Sequence, residues 1–272
     1  MSEVLAQVEG WEPDTIVVGV TRADGTVERH GPADEVLPFA SITKPLTAYA
    51  TLLAVQDGLL HLDEPVEHAG DGATVRHLLA HASGLPPKPE GPRIAPGRRR
   101  IYSDHAYDLL GALVEERTGR PFAEQLDLEV LQPLGMTDTH LDGSPAHAAE
   151  GTLPDLLAFA RELMSPTLLD ADLHREATSV AFPELEGVLP GFGRHTPNEW
   201  GLGFEIRGRK APHWTGARVS PATFGHFGRA GSYLWVDPER GLASAGLADQ
   251  PFGDWAVEGW PQLSDAIVEA YG

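Results

Sequence analysis

One stretch limits the folds open to this chain more than any other. From Ser41 to Gln56 it reads SITKPLTAYATLLAVQ, followed by Asp57-Gly58. A hydroxyl residue opens the run, Pro45 stands in the first turn, and Gly58 suits the left-handed position past a helix end. Between them Leu46, Tyr49, Ala50, Leu52, Leu53 and Val55 fall on more than one face. The spacing predicts a helix over 41–56 that is buried on most sides, with only its N-terminus polar. Ser41 and Lys44 are three apart, so on that helix they lie side by side. The positive end of the helix dipole favours negative charge developing on the serine oxygen.

Ser-x-x-Lys has two readings: an N-capping serine with a surface lysine, or a nucleophile beside its base. Composition bears on the choice. Lys and Arg total 20, and only Lys44, Lys88 and Lys210 are lysines, which leaves 17 arginines. Arg keeps its proton in a protein, whereas a desolvated Lys becomes neutral and accepts one. A lysine kept at the mouth of an apolar helix in such a chain draws attention, yet the spacing alone leaves both readings open.

The chain has 272 residues, enough for one large domain or two small ones, and a core that needs no covalent staple. It has no cysteine, which removes disulfides, thiol catalysis and Cys-based metal sites. A formal charge of −20 favours solubility and disfavours nucleic acid or an anionic membrane as partner. The N-terminus has no basic residue before Arg22 and no continuous apolar stretch, unlike a secretory signal. No run approaches the length of a membrane span. With Met1 as the natural start, a cytoplasmic protein is expected.

Strand and helix signals have a definite order. Residues 2–10 read as a short helix, 16–20 and 26–30 as a hairpin across Ala23-Asp24-Gly25, and 74–81 as a short helix stopped at Ser83-Gly84. Residues 84–100, rich in Pro, Gly and Arg, read as a surface loop. Helices are expected from Ser103 or Asp104 to Gly119, from Pro121, and over 153–164; residues 165–198 show no strong period. Strands follow within 200–206, 223–236 and 242–247, and 255–271 reads as a helix interrupted by Pro261. Strands at both ends with helices between them predict a mixed α/β (α+β) fold, in which an antiparallel sheet drawn from both termini carries an inserted helical region. The whole of 1–272 is expected to form a single domain, with 1–40 and 199–272 as sheet region and 41–198 mostly helical.

Several motifs are absent or ambiguous. No Gly-x-Ser-x-Gly elbow occurs, which disfavours an α/β-hydrolase. His77 and His81 have the i, i+4 spacing of a metal pair, but Leu78 stands where His-Glu-x-x-His has its glutamate. Capping or packing suits them better, and no metal is expected. Arg98-Arg99-Arg100 reads as a solvated charge run or as an attractor of anions. Tyr102-Ser103-Asp104 opens a helix, and Gly225-His226-Phe227-Gly228 sits where glycines admit a close neighbour.

Taken together and in order, Ser-x-x-Lys, Tyr-Ser-Asp and His-x-Gly resemble the serine β-lactamase and penicillin-recognising family. The class C-like branch, with its esterases, D-aminopeptidases and D-Ala-D-Ala peptidases, is the nearest in motif. VRHLLAHASGLP (75–86), YSDHAYDLLGALVEERTG (102–119), PLGMTDT (133–139) and WGLGFEI (200–206) support it. The resemblance implies a β-lactamase/transpeptidase-like fold and an acyl-enzyme on Ser41, with Lys44 and Tyr102 as proton carriers. It places Asp104 where an Asn usually binds substrate and orients the lysine, and His226 where lactamases carry the lysine of Lys-Thr-Gly. Gly228 and Arg229 follow on the same strand, and backbone N–H groups of Ser41 and Arg229 would form the oxyanion hole. Two cations near Tyr102 would lower its pKa. No cofactor is implied. The expected partner is a small ester or amide, with weak or no β-lactam turnover. A D-aminopeptidase or D-Ala-D-Ala carboxypeptidase, and a silent ligand-binding member, are the alternatives.

Overall fold

The computed structural model describes residues 4–272. Two strands open the chain, β1 (Ile16–Arg22) and β2 (Gly25–His30), followed by a short β3 (Leu37–Pro38). Four helices come next: α1 (Thr43–Gln56), α2 (Val75–Leu79), α3 (Asp104–Thr118) and α4 (Phe122–Leu126). Short strands β4 (His140–Leu141) and β5 (Ala149–Gly151) precede α5 (Leu153–Met164) and α6 (Ala171–Ala177). The remainder holds β6 (Gly187–Leu189), β7 (Gly193–His195), β8 (Glu205–Ile206), β9 (Phe224–Gly228), β10 (Ser232–Asp237), β11 (Leu242–Ala248) and the closing helix α7 (Asp254–Tyr271).

The main sheet runs β2-β1-β11-β10-β9-β8, antiparallel at every step. It is drawn from both ends of the chain, with Ile16 facing Ala248 across β1 and β11. Side chains alternate along each strand, so the sheet serves two cores. Val17, Leu234, Val236, Ala245 and Leu247 pack with α5 and the helical region. Val18, Val20, Tyr233 and Trp235 pack with Trp255, Trp260 and Leu263 of α7. At Gly19 a Cβ would stand 2.7 Å from Leu157 Cδ1, so the bare backbone lets α5 lie close on the sheet. α1 is buried along nearly its whole length and packs chiefly against α3, as its all-round apolar character requires.

Some elements differ from the sequence reading. α1 begins at Thr43, and Ser41 lies just before it in a 3-10 turn over Ala40–Ile42. The proposed 2–10 helix is a 3-10 segment, Leu5–Gly10, and residues 2 and 3 lie outside those described. Of the strand sought in 200–206 only Glu205–Ile206 forms, because Trp200 turns back to bridge Glu205. α7 continues through Pro261. The stretch without a period, 165–198, holds α6 and the β6–β7 hairpin, each too short to show one. Arg100 is buried, and its guanidinium donates to the carbonyls of Ala80, Ala181, Phe182 and Asn198. It therefore ties three loops together and is not part of a solvated run. No described helix is long and apolar enough to cross a membrane.

Beside β8 lies a buried ionic cluster. Glu205 accepts from His213 Nε2 at 2.9 Å and from Trp214 Nε1 at 3.0 Å, and it pairs with Lys210. Burial opposes the charge on this carboxyl, but Lys210 and then His213 outweigh it and hold its pKa far below the ordinary range. Lys210→Met would strand that charge. The expected loss is roughly 3–5 kcal/mol in urea unfolding, with much of it recovered in the Glu205→Gln/Lys210→Met double variant.

Candidate active site

The Ser41 turn is set by its surroundings before any chemistry is considered. Ala40 is held at φ 47°, an uncommon value for a residue with a side chain. Thr43 Oγ1 donates to Ala40 O at 2.7 Å and accepts from Ala149 N–H at 3.0 Å, which pins the turn to β5. Ser232 Oγ donates to Phe39 O at 2.7 Å from the β10 side. β9 closes in through Gly228, where a Cβ would stand 2.4 Å from Phe39 O and 3.1 Å from Ala40 Cβ. No other residue allows that approach, so Gly228 serves the site through its lack of a side chain.

Lys44 has no exposed side-chain surface. Its Nζ stands 2.6 Å from Asp104 Oδ1, 2.9 Å from Ala146 O and 3.4 Å from Ser41 Oγ. It also lies 4.6 Å from the centre of the Tyr102 ring. Burial lowers its pKa, and the Asp104 carboxylate pulls the other way. Asp104 reaches it from the first turn of α3, whose N-cap Ser103 accepts from Ala106 N–H at 3.1 Å and donates to Pro86 O at 2.6 Å. The Ala146 carbonyl was not legible in the sequence, since it reaches Lys44 across a long stretch of chain and carries no side-chain signal.

Tyr102 is half-buried at the cleft wall, with its hydroxyl shielded from solvent and without a hydrogen-bond partner. Burial pushes its pKa well up; its interaction with Ser41 eases this only in part. The expectation of a phenol acidified by two cations therefore fails. Lys44 lies beside the ring, but His226 supplies no second charge, because its imidazole is neutral. His226 Nδ1 lies 2.6 Å from Phe227 O, which can only accept, so Nδ1 carries the proton. Nε2 keeps its lone pair and has no partner. Burial, then Lys44, pulls the His226 pKa down to about 3.

These groups meet in one cleft. Ser41, Tyr102, Asp104, His226 and Arg229 line a cavity of about 480 Å³ with Leu189, Pro190, Trp200, Phe227 and Phe252 as its apolar walls. A larger hollow of about 730 Å³ lies past β8 around Leu163, His195 and Arg209. It touches none of Ser41, Lys44 and Tyr102, so size does not mark the site here. His77 lies outside the cleft, with Nδ1 2.8 Å from Thr74 Oγ1, and no metal-holding cluster occurs among the described residues.

Residues 14–267 match the family described as Beta-lactamase, which is nearly the whole chain. The chain belongs to that family. It is 44% identical to a solved β-lactamase from Mycobacterium bovis, with a TM-score of 0.96 over 98% of this chain and 99% of that one. It is also similar to esterase EstB of Burkholderia gladioli, at 34% identity over 43% of this chain and 42% of the esterase. A third relative is the D-alanyl-D-alanine-carboxypeptidase/endopeptidase AmpH of Escherichia coli K12, 26% identical over 41% of this chain and 38% of that protein. The matched segment thus spans about four-tenths of the length of these two curated relatives. The antiparallel sheet flanked by helices is the β-lactamase-type fold that these relatives lead one to expect.

Buried imidazoles, His226 and His81 in the site region and His213 beside Glu205 among them, contribute a pH dependence of stability. His226 and His81 both have folded pKa values below the ordinary 6.5. The unfolded chain therefore binds protons that the folded one refuses, and stability is lost as pH falls from about 6.5 towards 3. Urea midpoints should drop between pH 7 and 4, and His226→Gln should flatten the slope. An unchanged slope in that variant would show that His226 titrates alike in the folded and unfolded chain.

Proposed function

We propose that this chain is a serine hydrolase that works through an acyl-enzyme on Ser41 and prefers esters or small amides to β-lactams. The observation that carries the reading is the set of partners around Lys44 Nζ. Asp104 Oδ1 and Ala146 O can only accept, so they take two N–H bonds. Ser41 Oγ stands in the third direction. A neutral amine held this way directs its lone pair at the serine hydroxyl, as a general base requires.

In that mechanism Ser41 Oγ attacks the carbonyl carbon while its proton passes to Lys44. Backbone N–H groups of Ser41 and Arg229 receive the charge that develops on the carbonyl oxygen. Tyr102 stays a neutral phenol in the resting site and carries the proton on from Lys44 to the departing alcohol or amine. It gives up its own proton as it takes one, so it need not exist as a phenolate. Collapse of the tetrahedral intermediate expels the leaving group and leaves Ser41 acylated. Water then attacks the acyl carbon by the same route in reverse, releasing the acid and restoring Ser41.

Intact mass after treatment with a fluorophosphonate tests the nucleophile. One adduct on Ser41 is expected in the wild type and none in Ser41→Ala, with ester turnover in that variant down by several orders of magnitude. An unmodified wild type would favour the silent-binder reading. Ser41→Ala activity within about tenfold of wild type would remove Ser41 as the nucleophile.

Substrate preference follows from two charges. A β-lactam antibiotic brings a carboxylate next to its reacting ring. His226 offers it a lone pair instead of a proton, and the Asp104 carboxylate repels it. Each reversed contact costs roughly 1–3 kcal/mol, so the pair costs on the order of a hundredfold. A small neutral ester needs neither contact, and the apolar walls suit its acyl chain. Catalytic efficiency on a butyrate ester should exceed that on a chromogenic cephalosporin, and Asp104→Asn/His226→Lys should narrow the gap. A wild type that prefers the cephalosporin would sink the argument. A double variant with no gain would clear these residues of responsibility, and turnover of D-alanyl peptides above both would favour the peptidase alternative.

A further inference from the structure

We infer that His81 is a positioning residue for Tyr102, holding the chain on both sides of it so that the phenol faces Ser41. The inference rests on the acyl-transfer reading of the site. His81 does not itself line the cleft and stands far from Tyr102 in the sequence, yet it grips both neighbours of that residue. Its backbone oxygen accepts from Ile101 N–H at 2.9 Å. Its Nδ1 accepts from Ser103 N–H at 3.2 Å. An N–H donor fixes the tautomer, so Nδ1 is bare and Nε2 carries the proton. Tyr102 is thus suspended between two bonds to a single residue.

The ring adds a lateral constraint. Its centre lies 4.7 Å from the Tyr102 ring, 5.0 Å from Tyr107 and 4.7 Å from Trp200, which it meets edge-on. His81 also adopts φ 53°, in the left-handed region that most side chains avoid. That conformation turns the carbonyl and the imidazole towards the same segment of chain. Glycine would take this φ at no cost and would lose the imidazole acceptor. Asparagine tolerates the same φ, and its Oδ1 occupies the place of Nδ1.

Comparison of His81→Asn with His81→Gly therefore isolates the acceptor, since both fit the backbone and only one keeps the bond. The readout is fluorophosphonate inactivation, separated into a limiting rate and a half-saturating concentration, with thermal melts run alongside. His81→Gly should slow the limiting rate by about tenfold or more, as expected when a reacting group is misplaced by a fraction of an ångström. Half-saturation should move by less than about twofold, because no residue that lines the cleft is replaced. His81→Asn should recover most of the rate. In a Tyr102→Phe background His81→Gly should cost less than about twofold further, since its effect runs through the lost hydroxyl.

Equal rates in wild type and His81→Gly, or a loss that Asn does not repair, would overturn the inference. A full His81→Gly penalty in the Tyr102→Phe background would do the same. If the wild type forms no adduct, the acyl-transfer reading fails by itself. The clamp is then judged by hydrogen exchange at the Ser103 amide. Protection kept in His81→Asn and lost in His81→Gly supports it, and protection kept in both overturns it.

Discussion

The site depends on a lysine with no water around it. Taking an ammonium out of solvent costs several kcal/mol even after the protein relaxes, so Lys44 is tolerable only with its contacts in place. Asp104 and the Ala146 carbonyl supply them, and each comes from a different part of the chain. The N-terminus of α3 has to lie beside the start of α1, and the loop after β4 has to fold over both. The same burial that makes these contacts compulsory lowers the proton affinity of the amine. One constraint therefore serves the fold and the chemistry together.

A second constraint is closeness. The Ser41 turn sits under strain at Ala40 and is touched by β5, β9 and β10. Gly228 lets β9 approach, and Ser232 bonds to the turn from the next strand. Around this point the Tyr102 hydroxyl, His226 Nε2 and Trp200 Nε1 are buried without partners. Unsatisfied groups of this kind cost stability, and each of these three belongs to a residue that lines the cleft.

Much of this was legible beforehand. The apolar helix from Thr43, the Ser103 cap of α3 and strand β1 all carry local signals, namely an apolar run, a hydroxyl before a helix and a cluster of β-branched residues. Ser41, Lys44, Tyr102, Asp104 and His226 were singled out by motif, and the fold brings them to one cleft. What stayed hidden is non-local. Trp200 and its neighbours have a strand-like composition, yet Trp200 is needed as a wall against His81 and His226, and the backbone turns to place it there. Arg100 resembles its exposed neighbours in sequence, and only the carbonyls of three loops reveal its different role. The ionisation of Tyr102 and His226 depends on burial depth, which no motif encodes.

The pairing of β1 with β11 has a consequence for how the protein is made. β1 pairs locally with β2 on one side, but its other partner comes only at the far end of the chain, where Ile16 faces Ala248. Gly228 and His226 lie on a strand held in the sheet through β10 and β11. During synthesis the Ser41 segment leaves the ribosome long before these residues are translated. Until β11 has emerged, the growing chain carries its serine and lysine without the strand that completes the cleft. Contacts this distant also form late and close slowly. A nascent or prematurely ended chain therefore carries Ser41 and Lys44 in its sequence but lacks the strand wall, with His226, that lines the cleft beside them.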